Sequence, residues 1–124
     1  MSVGRTVTLQ TSDHGDVTLP CPAWCVGHAD HDPESARADL MHVGPEVDCT
    51  HLGVTLFTAE LVQSPFAGPS SRYLGGRTPG VSIHPLGKTL DPADLYSLAA
   101  QLDAYADRLR DMADRLSTIL GGAE

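Results

Sequence analysis

Apolar and polar residues alternate with a period of two near the start of the chain. Val7 and Leu9 sit between Thr6, Thr8 and Gln10, and Val17 and Leu19 repeat the pattern within GDVTLP. Such alternation marks half-buried strands, and the intervening SDHG is a turn signal, so a hairpin within residues 1–20 is predicted, delivering Cys21 at its exit. The run LGVTLFTAELVQS, residues 52–64, is rich in β-branched and apolar residues and predicts a longer strand. SPFAGPSSRYLGGRTPG then reads as a loop with a short edge strand at Arg72–Leu74. VSIHPLG at 81–87 reads as a last strand, with His84 before Pro85 on an edge.

From residue 91 the period changes to that of a helix. Asp91 is a good N-cap, Pro92 suits the first turn, Asp94 adds a favourable charge there, and Gly121 and Gly122 end the element. A helix over residues 92–120 would extend roughly 43 Å at 1.5 Å per residue, longer than the roughly 35 Å diameter expected of a compact chain this size. Leu95, Leu102, Leu109 and Leu116 recur every seven residues, with Ala99, Ala106, Ala113 and Leu120 interleaved and Leu98, Tyr105, Met112 and Ile119 alongside. The outer face carries the i,i+4 pairs Asp111 with Arg115 and Arg110 with Asp114. The first half of such a helix suits packing across a sheet. The heptad spacing of the second half suits self-association as a homodimer, or binding to another protein.

At 124 residues the chain fits one domain, 1–124, with a single modest core. The expected class is α+β: a small antiparallel sheet, a metal-organised loop and one long C-terminal helix. The segments are a hairpin at 1–20, a Cys/His loop at 21–51, strands and loops at 52–88, and the helix at 91–120. A formal charge of −8 and a single lysine, Lys88, disfavour direct binding to nucleic acid, whose phosphates need Lys and Arg. The start has no apolar stretch suited to a signal peptide, and nothing approaches the roughly twenty apolar residues of a membrane span, so a cytoplasmic protein is expected.

Residues 21–51 hold all three cysteines and four of the six histidines. An odd number of cysteines in a reducing compartment points away from a disulfide framework and towards a metal or unmodified thiols. Zinc takes four tetrahedral N or S donors, commonly a close cysteine pair and two donors from a second segment. In CPAWCVGHADH the pair is Cys21 and Cys25, and one turn of CPAWC can set both sulfurs on one side. His28 and His42 complete the favoured set, with His31 as the substitute for His28, and Asp30 or Asp32 as acceptors for a histidine N–H. Trp24 either covers the site or fills the core. Cys49 reads as a small buried hydrophobe and, with His51, as a less favoured ligand.

CPAWC, His28 and His42-Val43-Gly44 resemble the pattern of the actinobacterial proteins grouped as domain of unknown function 6907, C-P-x-W-C, a nearby histidine and H-x-G. The closing LDPADLYSLAAQLDAYADRL is similar to that family's Leu/Ala-rich final helix. The resemblance implies a compact domain with a zinc site and assigns no reaction.

No H-E-x-x-H helix, deaminase signature or phosphate-binding Gly-rich loop occurs; Glu34 and Glu46 lie near the loop and could act as a base, which is weak support for catalysis. CPAWC is one residue too long for the thioredoxin-type C-x-x-C. The favoured function is therefore an acidic, zinc-stabilised adaptor or regulatory domain acting through its helix. A thiol-based redox or zinc sensor is the alternative, and a zinc-dependent hydrolase a more distant one.

Overall fold

The computed structural model describes residues 5–69 and 73–121. Strands β1 (Arg5–Thr11) and β2 (Gly15–Cys21) form a two-stranded antiparallel hairpin with Val7 opposite Leu19 and Leu9 opposite Val17. The alternation read from the sequence survives intact: Leu9, Thr11, Leu19 and Cys21 are buried while Thr8 and Thr18 face out, their hydroxyls 2.7 Å apart. Gly15 closes the turn at φ +60°, a left-handed conformation that glycine adopts without a Cβ penalty. The buried Thr11 hydroxyl holds that turn on both sides, donating to the Gly15 carbonyl and accepting from the His14 N–H.

Beyond Cys21 the chain makes a β-turn and an irregular stretch, then a short 3-10 helix at Arg37–Asp39 that brings Leu40 under the hairpin. Leu9, Leu19 and Leu40 form the core here, flanked by Val7, Val17 and Phe66. Arg37 lies 4.1 Å above the Phe66 ring, a cation–π contact that closes the edge of this core.

The second sheet has five strands: β3 (His42–Val43), β4 (Val47–His51), β5 (Val54–Gln63), β6 (Gly80–His84) and β7 (Lys88–Leu90). All pairings are antiparallel; β3 and β4 both pair with β5, and β6 and β7 follow on its other side. The small antiparallel sheets and single long helix make this an α+β fold. The predicted long strand begins at Val54 rather than Leu52 because Leu52 and Gly53, at φ 51° and 77°, form the two-residue turn between β4 and β5. Two successive positive φ values are the type I′ geometry that matches strand twist. Leucine is an unusual occupant, carrying a Cβ penalty of about 1–2 kcal/mol in that region.

Three sequence expectations are corrected. The stretch 21–51 is not loop throughout, since its last residues form β3 and β4. His84 ends β6, which lies between β5 and β7, so it is not on an edge strand; β7 is the edge. Of the short strand expected at Arg72–Leu74, Arg72 falls outside the described residues, and Tyr73 and Leu74 form a turn and a bend, with the Thr89 N–H donated to the Tyr73 carbonyl.

Two compact units are distinguishable, residues 1–91 and 92–124. The second contains helix α1 (Pro92–Leu120), 29 residues long. Its outer face carries a 3.0 Å ion pair between Arg110 and Asp107, three positions apart, where the i,i+4 partner Asp114 was expected. No helix among the described residues is long and apolar enough to cross a membrane.

Candidate metal centre

Three separate segments of the first unit converge on one point. The end of β2 supplies Cys21, the following turn and loop supply Cys25 and His28, and β3 supplies His42. One side-chain donor atom from each lies within 4.8 Å of the others. His28 Nε2 is 3.7 Å from the Cys21 sulfur and 3.6 Å from the Cys25 sulfur. The centre bridges the two sheets, since Cys21 belongs to the hairpin and His42 pairs with Gln63 of β5.

Local chain chemistry explains the convergence. Pro22 begins a β-turn closed by the Cys25 N–H on the Pro22 carbonyl, so CPAWC is a turn rather than the helical turn its sequence suggested. Gly27, at φ +106°, bends the chain back and lets its own N–H point at the Cys25 sulfur, 3.4 Å away. The Val26 N–H then joins the Val43 carbonyl, tying the loop to β3 beside His42. Gly44 completes the arrangement by its small size: a Cβ there would sit 3.2 Å from Leu61 Cβ and 3.4 Å from the Trp24 carbonyl oxygen.

The centre is largely sealed. Cys21 is fully buried, Cys25 and His42 are buried, and His28 is half-buried. The Trp24 ring meets His42 edge-on at 6.3 Å, so the tryptophan covers the site as well as packing over Gly44. On the His28 side lies an open cleft lined by Gly27, His28, His31 and Met41 among others.

Burial pushes the basicity of both histidines below the ordinary value, assisted for His28 by His31 and Arg5 and for His42 by His28 and Arg5, with the Pro20 carbonyl opposing. Both imidazoles are thus favoured in the neutral form that a metal requires. Desolvation raises the Cys21 thiol, as does sharing with Cys25, while the Arg5 guanidinium pulls the other way. A buried cation overcomes such a rise, because it deprotonates a coordinating thiol outright.

Two observations test whether these residues suit a metal. The donors are two thiols and two imidazoles, the composition of a closed zinc site. The Nδ1 atom of His42 is buried with no hydrogen-bond partner, although burying a polar atom unsatisfied costs about 1–3 kcal/mol. Coordination at this cluster would answer that cost, so the residues fit.

The remaining candidates go elsewhere. His31 Nε2 lies 2.7 Å from the Gln10 carbonyl and ties the loop to β1 instead of joining the cluster. The Asp32 carboxylate accepts the Glu34 N–H in a local turn rather than a histidine N–H. Cys49 is exposed on β4, correcting the expectation of a buried thiol, and His51 lies at the far end of the same strand. Arg5 was missed by motif reading: its guanidinium donates to the Cys25 carbonyl at 2.8 Å. The signal was present in the hairpin register, because pairing Leu9 with Val17 also places Arg5 opposite Cys21.

The sequence model of a family described as a domain of unknown function, DUF6907, matches residues 6–118. No curated protein and no solved structure matches the chain.

Proposed function

The chain belongs to the DUF6907 family, and we propose that in this member Cys21, Cys25, His28 and His42 hold one structural zinc ion, while the long helix engages another protein. The observation that carries the metal reading is the meeting of four soft and borderline donors, from three segments, within 4.8 Å. Two thiolates and two imidazoles suit zinc better than the oxygen donors preferred by magnesium or calcium. Four protein donors close a tetrahedron and leave no position for water, which favours a structural over a catalytic role. The adaptor reading draws on the net charge of −8, the heptad spacing of α1 and the lack of a catalytic motif in the sequence. Cysteines serving as ligands rather than disulfides suit a reducing, cytoplasmic setting.

Metal analysis of protein purified without added metal should find one zinc per chain, and cobalt substitution should give the absorption of a tetrahedral thiolate site. A metal-free preparation that folds fully and takes up no zinc would end this reading. A sensor is the second possibility, supported by the approach of both sulfurs to the same imidazole nitrogen. Two-electron oxidation by a peroxide would join them as a disulfide and remove both thiolate donors.

A further inference from the structure

His28 and His42 reach the centre from different directions, their ring centroids 5.3 Å apart and their planes inclined at 65°. His28 rides on the loop after CPAWC and shows its far nitrogen, Nε2, to the two sulfurs at 3.7 and 3.6 Å. Zinc bonds of about 2.3 Å to sulfur and about 2.0 Å to nitrogen put neighbouring corners of a tetrahedron about 3.6 Å apart. That nitrogen therefore stands at ligand spacing from both thiols before any ion is added.

His42 is held differently. It is 2% exposed, and its backbone is fixed by pairing with Gln63 of β5. Its near nitrogen, Nδ1, is buried with no hydrogen-bond partner, the one such side-chain atom among the described residues. The Pro20 carbonyl meanwhile acts on the same ring as a hydrogen-bond acceptor; since Nδ1 has no such partner, that contact belongs to Nε2.

We propose that the two histidines offer opposite ring nitrogens to the ion, His28 its Nε2 and His42 its Nδ1, with the Pro20 carbonyl accepting a hydrogen bond from Nε2–H of His42. The inference rests on the zinc reading and deepens it, naming the donor atoms and adding Pro20 as a positioning residue. A neutral imidazole has one N–H and one bare nitrogen, and only the bare one binds a metal. Were Nε2 of His42 to face the ion, the ring proton would sit on Nδ1, a buried donor with nothing to receive it. With Nδ1 on the ion, both nitrogens are satisfied at once. Ligating histidines ordinarily donate their second N–H to a backbone carbonyl or a carboxylate, which fixes both tautomer and ring orientation. The division also suits the two elements. Nδ1 lies nearer its own backbone than Nε2 does, so the histidine on the paired strand uses the short arm and the one on the loop uses the long arm. Pro20 directly precedes Cys21 on β2, so the strand that supplies the first thiol also orients the imidazole arriving from β3.

The test uses the full chain labelled with nitrogen-15 and loaded with cadmium-113 in place of zinc. Scalar coupling across the metal–nitrogen bonds should appear at Nδ1 of His42 and at Nε2 of His28. In the zinc form, long-range proton–nitrogen spectra should show a proton on Nε2 of His42 that exchanges slowly with solvent. Coupling of cadmium to Nε2 of His42, or to Nδ1 of His28, overturns the assignment while leaving the metal reading in place. A folded chain that takes up no cadmium and no zinc defeats the metal reading. In such a chain the same spectra decide the ring orientation: a proton on Nε2 of His42 supports it, and a proton on Nδ1 overturns it.

Discussion

Replacing Cys25 by serine is the sharpest test of what holds the first unit together. The apolar core beneath the hairpin is small, built on Leu9, Leu19 and Leu40. Complete burial of three leucines is worth about 5–9 kcal/mol. A structural zinc ion in a small domain supplies about 10–16 kcal/mol of apparent binding energy near neutral pH, so at this centre the ion would outweigh the core. Cys25 also anchors the loop that joins β2 to β3, through the Gly27 N–H on its sulfur and Arg5 on its carbonyl. Serine keeps the hydrogen bonding to the backbone carbonyl but is a poor zinc ligand. A loss of only 3 kcal/mol in a unit of this size lowers the melting temperature by about 12–24 °C. Cys25→Ser is therefore expected to lose zinc, to melt at least that much lower, and to lose amide-exchange protection at Val26, whose N–H bonds the Val43 carbonyl. Thermal unfolding, metal analysis and hydrogen exchange on the same preparation read all three. Retention of the wild-type melting temperature after proven loss of metal would refute the argument, because the three leucines would then suffice.

Two further outcomes are expected. Leu52→Asn should stabilise the β4–β5 turn by about 1 kcal/mol, since Leu52 is 88% exposed at φ 51° and asparagine accepts that conformation more easily; a lower melting temperature would show that its side chain has a contact to lose. Asp13→Asn should make stability less sensitive to acid. The Asp13 carboxyl titrates below its usual 3.8 because of His14, 3.0 Å away, and the Arg37 N–H, so its contribution is present above pH 3.8 and disappears as pH falls through the lowered value. The gap between wild type and variant should close at low pH, and an unchanging gap would contradict this.

The hairpin was legible because its core imposes a period, Leu9 and Leu19 pointing inwards on alternating strands, and the helix because its apolar residues repeat every seven between clear start and stop residues. The Cys/His cluster was legible because metal-capable sites commonly combine a close cysteine pair with nearby histidines, a spacing that CPAWC and His28 supply at short range. What the sequence hid follows from exposure. All five residues of β4 are exposed, so no buried face imposes alternation on VDCTH, and its Cys49 looked like a core residue. β3 has two residues and β7 three, too short for any period. The choice between His28 and His31 turned on Gly27, whose positive φ directs the chain back after Cys25 and leaves His31 for the Gln10 carbonyl.

The spacing of the four donors has a consequence for biosynthesis. Cys21, Cys25 and His28 leave the ribosome almost together, and the wait for His42 is set by the intervening chain. At about 5–20 residues per second that wait is about 1–3 s. Closing the intervening loop costs only slowly more entropy as it lengthens. If the cluster holds an ion as proposed, three of its donors would be available to it before β5 has been synthesised. The ion would then be a template on which the second sheet assembles, its late-arriving imidazole setting where β3 must lie.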